Sequence, residues 1–258
     1  MLAYPATIPL STRSLTHLSG LLRAHRKTVG SRWRRLAPDQ QALLVLAHLR
    51  NGDSRARLAA GFAVSPTTVW RYIREAIDLL AAAAPTLAQA MRRIGRLAYA
   101  ILDGTLIPID RLSGSADRRH YSGKHRRHGV NAQVIADPLG RLMWVSPTLP
   151  GAVHDIKAAR THGIIDALTN AAVATFADKG YRGAGPVVAV PFYGRNLPTR
   201  IREVNIAHAK IRAIGERAIA TLKTWKVLTK LHCCPRRATP ILAAITLLQL
   251  IEEQRESG

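Results

Sequence analysis

The chain has 258 residues, 47% of them hydrophobic, which is ample for one large domain or two modest ones. Thirty-eight Lys and Arg against sixteen Asp and Glu leave a net charge of +22, so polyanions are the expected partners, nucleic acid ahead of an anionic membrane surface. No apolar stretch of signal-peptide form opens the chain, the longest apolar run (241–251) is too short to span a bilayer, and adjacent Cys233 and Cys234 match no zinc pattern; a cytoplasmic protein with reduced, structural cysteines is expected.

Residues 1–38 carry seven Lys or Arg and no acid, with Trp33 set among Arg32, Arg34 and Arg35. This reads as a basic arm over 1–35, equally compatible with a solvated terminus and with a contact role. A helical unit follows. Pro38 opens a helix bearing Leu43, Leu44, Leu46, Ala47 and Leu49, stopped by Asn51-Gly52. Asp53 or Ser54 caps a second helix through Ala60, Gly61 permits a tight turn, and Ser65-Pro66 starts a third helix with Val69, Tyr72, Ile73 and Ile77 inward. That is helix-turn-helix order, although a plain three-helix bundle shares the spacing. The third helix would present Thr67, Thr68, Trp70, Arg71 and Arg74 to phosphates or base edges in a major groove. With a linker helix after Pro85, this domain spans 36–95.

From Leu97 the pattern changes to strands. An apolar run over 97–102 closes at Asp103-Gly104, and runs over 130–136 and 141–145 flank the turn Asp137-Pro138-Leu139-Gly140. After Pro150-Gly151 a helix is expected over 155–168, then an apolar run over 171–177 ending in Asp178, a strand over 187–190, and a long helix over 204–225. The order predicts an α/β fold for 96–258: a ribonuclease-H-like mixed sheet with flanking helices, preceded by the small all-α helix-turn-helix domain.

Asp103 and Asp178 each stand where an apolar strand ends and a Gly follows within two residues, the kind of edge where α/β sites form. In the long helix, Ile211, Ile214, Ala218, Leu222 and Trp225 make one apolar stripe, while Arg212, Glu216 and Lys223 share a neighbouring face. Glu216 can then face the two aspartates. Hard carboxylate oxygens suit magnesium, and two such ions about 4 Å apart would activate water and stabilise the leaving 3′ oxygen of a phosphodiester. Turn chemistry for the aspartates and an ion pair for Glu216 remain the plain alternatives.

The segments Leu102-Asp103-Gly104-Thr105, Tyr121-Ser122-Gly123-Lys124, Pro150-Gly151 with His154-Asp155, the run from Ala177 through Asp178, Lys179, Gly180, Tyr181 and Arg182 to Gly183, and Glu216 with Leu222-Lys223 and Trp225 stand in one order. Together they resemble bacterial insertion-sequence transposases of the DDE superfamily endonuclease type, with the Harbinger transposases as distant relatives. The resemblance covers about residues 36–251 and implies that Asp103, Asp178 and Glu216 are the catalytic, metal-holding acids, with two Mg2+ ions and Mn2+ as a substitute. It also implies double-stranded DNA as partner, as terminal repeats and target site, and a homo-oligomer on that DNA.

Around these acids, Lys179, Tyr181 and Arg182 can hold the scissile phosphate or the flanking strand. The basic run containing Lys124, Arg126 and Arg127 reads as a phosphate-contacting hairpin; it has no upstream Gly for a nucleotide loop and no Cys for zinc. Arg212 and Lys223 belong to a basic track past the site. His154, Asp155 and Tyr181 are candidates to support the site by hydrogen bonding, although for Asp155 a cap on its own helix is the better fit. The expected function is an enzyme that binds element ends and performs metal-dependent strand cleavage and transfer. A non-catalytic helix-turn-helix protein or decayed transposase, and a general nuclease on the same fold, are the rivals.

Overall fold

The structure, a computed structural model, describes residues 7–31 and 34–253, so Arg32 and Trp33 lie outside the described residues. In chain order the helices are α1 (Thr12–Thr28), α2 (Pro38–Leu46), α3 (Arg55–Gly61), α4 (Pro66–Ala83), α5 (Leu87–Ile94), α6 (Ser115–His120), α7 (Asp155–Thr161), α8 (Ile164–Asn170), α9 (Thr199–Lys223) and α10 (Ala238–Glu253). The strands are β1 (Ala100–Pro108), β2 (Tyr121–Ser122), β3 (Arg127–Ala136), β4 (Leu142–Val145), β5 (Leu149–Pro150), β6 (Thr175–Ala177) and β7 (Val188–Ala189). Two compact units result, one of residues up to Ala84 with 223–230 and those from Pro240 on, the other of 85–222 with 231–239. Among the described residues no helix is long and apolar enough to cross a membrane.

The first unit is all helical. Ser54 and Ser65 cap α3 and α4 by accepting from the Arg57 and Thr68 amides, and Val69, Tyr72, Ile73 and Ile77 of α4 are buried as their spacing requires. The left-handed residue of the α3–α4 turn is Ala63 (φ 50°), not Gly61, which ends α3. The basic-arm reading of residues 1–35 is corrected over Thr12–Thr28, which form a helix. There Ser14, Leu18 and Leu22 recur every fourth residue on one buried face, and Glu252 accepts from the Ser11 and Ser14 hydroxyls. Trp225, expected at the end of the long helix, lies beyond α9 and is fully buried in this unit, donating to Gln249.

The second unit is a mixed sheet with flanking helices. β3 runs antiparallel to β1 along its whole length, and its other edge pairs in turn with β2, β5 and β4. On the far side of β1 the ladder turns parallel, to β6 and then β7. One face is covered by a cluster in which Leu102, Ile135 and Ala177 meet Ala90 and Ile94 of α5, Ala159 of α7 and Ile164 and Leu168 of α8. The helix after Pro85, read as a linker, therefore packs onto the sheet. The single helix expected over 155–168 is two, because Gly163 takes φ 66° between α7 and α8.

On the opposite face α9 packs closely against β1 at a glycine. A Cβ at Gly215 would lie 2.5 Å from Ile101 Cγ2. Gly215→Ala improves helix propensity by about 1 kcal/mol but overpacks a β-branched neighbour at a cost of about 1–3 kcal/mol. The expected net is a loss of about 1 kcal/mol in a urea melt, and a gain would show that α9 yields at this crossing.

Candidate active site

Asp103 is not at the end of its strand. The β1–β3 ladder continues through Gly104 to Pro108, with Asp103 opposite Val134 and Gly104 opposite Gln133. Successive strand residues face opposite sides, so Asp103 shares a face with Ile101 and hence with α9, while Gly104 shares the other with Gln133 and Asn131. β6, the parallel neighbour of β1, stops at Ala177 beside Leu102, and Asp178 follows directly. Its carboxylate accepts from the Gly180 amide at 2.7 Å and caps the short turn Lys179–Tyr181. The two aspartates thus come from adjacent parallel strands.

Asp155 enters from the Gly104 face. It is the first residue of α7, behind the N-cap residue His154, so it is not itself the N-cap. Instead Oδ1 accepts from Asn131 Nδ2 at 2.8 Å and from Gln133 Nε2 at 3.5 Å. Gln133 in turn donates to Asn131 Oδ1 and accepts from the buried hydroxyl of Tyr181. Asp155 is thus bonded to side chains of β3 rather than standing at the N-cap of its helix, and Tyr181, fully buried, belongs to the same network and is out of reach of a phosphate. Asn131 and Gln133 carry no motif. Their signal in the sequence is two polar residues spaced two apart within the otherwise apolar run 130–136, which places both on one face.

Charge is crowded here. Burial pushes the Asp103 carboxyl up to about 6, with Asp178 and Asp155 adding to the rise and Arg212, whose guanidinium lies 4.0 Å away, opposing it together with the Gly104 amide. Lys124, in the turn between β2 and β3, sets its ammonium 3.2 Å from Asp155 and 3.7 Å from Asp178. Burial disfavours its charge, but Asp155 first and then Asp178 and Asp103 outweigh that and hold the lysine above its ordinary pKa. A recess of about 260 Å3 beside it is lined by Gly104, Tyr121, Lys124, Asn131, His154 and Asp155.

Glu216 lies on α9, one turn beyond Arg212. Gly215 of α9 meets Ile101 of β1, and its neighbour Glu216 is exposed. The buried side of α9 is His208, Gly215, Ala218 and Leu222, rotated from the isoleucine stripe expected, with Ile211 and Ile214 only partly buried. Among the described residues no three Asp, Glu, His or Cys side chains stand ready to hold a metal. The chemistry nevertheless fits a hard divalent ion: the donors are carboxylate oxygens, and a lysine ammonium already occupies the space between two of them.

The cationic candidates divide by exposure. Arg126, Arg127, Lys179, Arg182 and Lys223 are exposed, Arg182 lying over the Tyr193 ring at 4.6 Å, and Arg212 is committed beside Asp103. In the helical unit Thr67, Trp70, Arg71 and Arg74 are exposed along α4, with Arg74 stacked on Trp70, while the Thr68 hydroxyl is shared with the Ser65 cap. Asp137 is the turn residue its sequence suggests, accepting from the Leu139 and Arg141 amides.

Comparison with known proteins agrees with these two regions. Residues 34–86 match the helix-turn-helix of DDE superfamily endonuclease, and residues 102–249 match the DDE superfamily endonuclease itself. The chain is 33% identical over 195 residues to the putative transposase for insertion sequence element IS112 of Streptomyces albus G, covering 74% of this chain and 70% of that protein. No solved structure matches. With its paired strand-borne aspartates and its separate helical unit, the chain belongs to the DDE superfamily endonuclease family and carries that family's helix-turn-helix.

Proposed function

We propose that this protein is a transposase that binds the ends of its element and cuts and joins DNA strands at Asp103 and Asp178. The observation that carries the reading is this carboxylate pair on adjacent parallel strands, close enough for Asp178 to help lift Asp103 to about 6. The order β4-β3-β1-β6-β7, antiparallel across β3 and parallel beyond β1, supports a ribonuclease-H-like arrangement.

Asp103 and Asp178 would hold the metal, and Glu216 would complete the set from α9. Glu216 follows by one turn Arg212, which lies beside Asp103. Bound there, two magnesium ions would supply Lewis-acid activation of water and of the leaving 3′ oxygen. Lys179, Arg182, Arg126, Arg127 and Lys223 would hold the DNA backbone by charge-assisted bonds, while Thr67, Trp70, Arg71 and Arg74 of α4 read the element's terminal repeats. A first attack by water frees a 3′ hydroxyl, which then attacks target DNA, and pairing of two ends calls for a homo-oligomer.

The test is magnesium-dependent nicking of supercoiled DNA that carries the sequences flanking this gene. Wild type should cut at the repeat boundary, while Asp178→Ala and Glu216→Gln should bind the same DNA and cut at least about a thousandfold more slowly, as loss of several kcal/mol of transition-state stabilisation implies. Retained cutting by Glu216→Gln would remove Glu216 from the set. Tight binding by wild type without any nicking would favour a DNA-binding protein that has lost its chemistry.

A further inference from the structure

Lys124 has an unusual position for a DNA-contacting residue, because its ammonium is turned away from any phosphate track and onto two site carboxylates. More than half of its side chain is exposed (57%), whereas Asp155 and Asp178 are 12% and 16% exposed. Its head group makes the ion pairs, and the residue stands in a turn that begins at Gly123 and has Arg126 at φ 51°. Asp155 is by contrast fixed. Its Oδ1 is held by Asn131 and Gln133, Gln133 is braced by Tyr181, and the space it fills exists because Gly104 has no side chain. Its Oδ2 is the oxygen presented to Lys124.

We propose that Lys124 is an exchangeable counter-ion of this site. In the free protein it neutralises Asp155 and Asp178. When a divalent cation takes Asp178, Lys124 is released and its ammonium binds a phosphate of the incoming strand. The inference rests on the proposed metal role of Asp178. It follows from charge balance: an ammonium 3.7 Å from Asp178 Oδ2 repels a divalent cation at that carboxylate, and Lys124, 57% exposed, has solvent into which to withdraw. Asp155 then acts as a positioning residue, keeping the released ammonium near the site, and the exchange couples metal occupancy to grip on DNA.

The experiment measures Mn2+ binding by calorimetry, without DNA, on wild type, Lys124→Met and Asp178→Ala, all checked for wild-type circular dichroism. Lys124→Met keeps the stem and removes the charge, so it should bind Mn2+ tighter by roughly five- to tenfold, the effect of deleting one nearby unit charge in a solvent-exposed setting. A second measurement follows binding of a short random-sequence duplex with and without Mg2+ across a salt series. Wild type should tighten with Mg2+, and Lys124→Met should lose that increment and show a salt slope shallower by about one. An unchanged or weaker Mn2+ affinity in Lys124→Met, beside an Asp178-dependent site in wild type, overturns the exchange and leaves the metal site standing. No Asp178-dependent Mn2+ site in wild type overturns both.

Discussion

Asp103→Asn is expected to abolish strand cleavage and yet to stabilise the protein at neutral pH. Asp103 has a folded pKa of about 6, raised by burial and by Asp178 and Asp155, against an ordinary aspartate value of 3.8. A raised acid pKa means that between these two values the folded protein holds a proton that the unfolded chain has released. Stability therefore falls as pH rises from about 4 to about 6, and the full penalty persists above that. At about 1.4 kcal/mol per unit the penalty is about 1–3 kcal/mol, and asparagine, which carries no charge, escapes it. In a chain this long that corresponds to a melting temperature roughly 2–10 °C higher for the variant near pH 7.5, with the two proteins converging below about pH 4. Wild-type cutting should in turn rise with pH through about 6, since only the ionised carboxylate serves a metal. Melting curves at a series of pH values decide the matter: a wild-type stability that does not decline relative to Asp103→Asn between pH 4 and 6.5 would mean that the crowding of charge around Asp103 is absent in solution.

The helical unit and the strand order were legible because both rest on local periodicity. A capping serine, followed by proline in α4, and apolar residues every third or fourth position are enough to place α3 and α4, and Asp137-Pro138-Leu139-Gly140 is enough to place the β3–β4 turn. Helix α1 was obscured by charge. Its buried residues are Ser14, Leu18, Ser19 and Leu22, half of them serine, inside a segment without a single acid, so composition outweighed the spacing. The site was half legible. Asp178 sits at a strand end as its Gly-rich sequel implies, but Asp103 does not, since a glycine inside a strand can mark close approach of another group rather than the strand's end. What no sequence pattern carries is the pairing across 24 residues of Asn131 with Asp155, or the choice of Gly215 over its isoleucine neighbours as the residue of α9 that meets Ile101. Both are settled by shape, by which side chain is small enough to let another group in.

Gly104 is where that principle has its largest consequence. A Cβ there would lie 2.2 Å from Asp155 Oδ1 and 2.6 Å from its Cγ, and Asp155 has only one methylene with which to retreat. Gly104→Ala must therefore evict the carboxylate from the Asn131 and Gln133 amides, leaving buried donors without their charged acceptor and Lys124 without its nearer anchor. Loss of charge-assisted bonds at such a position is worth about 2–4 kcal/mol, offset by a few tenths from the lower chain entropy of alanine. Cleavage should fall steeply as well, because Gly180, the residue whose amide holds Asp178, lies against the same carboxylate: a Cβ at Gly180 would be 3.5 Å from Asp155 Oδ2. A double-mutant cycle separates this account from simple strand strain. If the damage comes through Asp155, then Gly104→Ala should cost at least about 1 kcal/mol less in an Asp155→Ala background than in wild type, since the group it displaces is already gone. Equal costs in both backgrounds would place the fault in β1 itself and deny Asp155 its seat over the glycine.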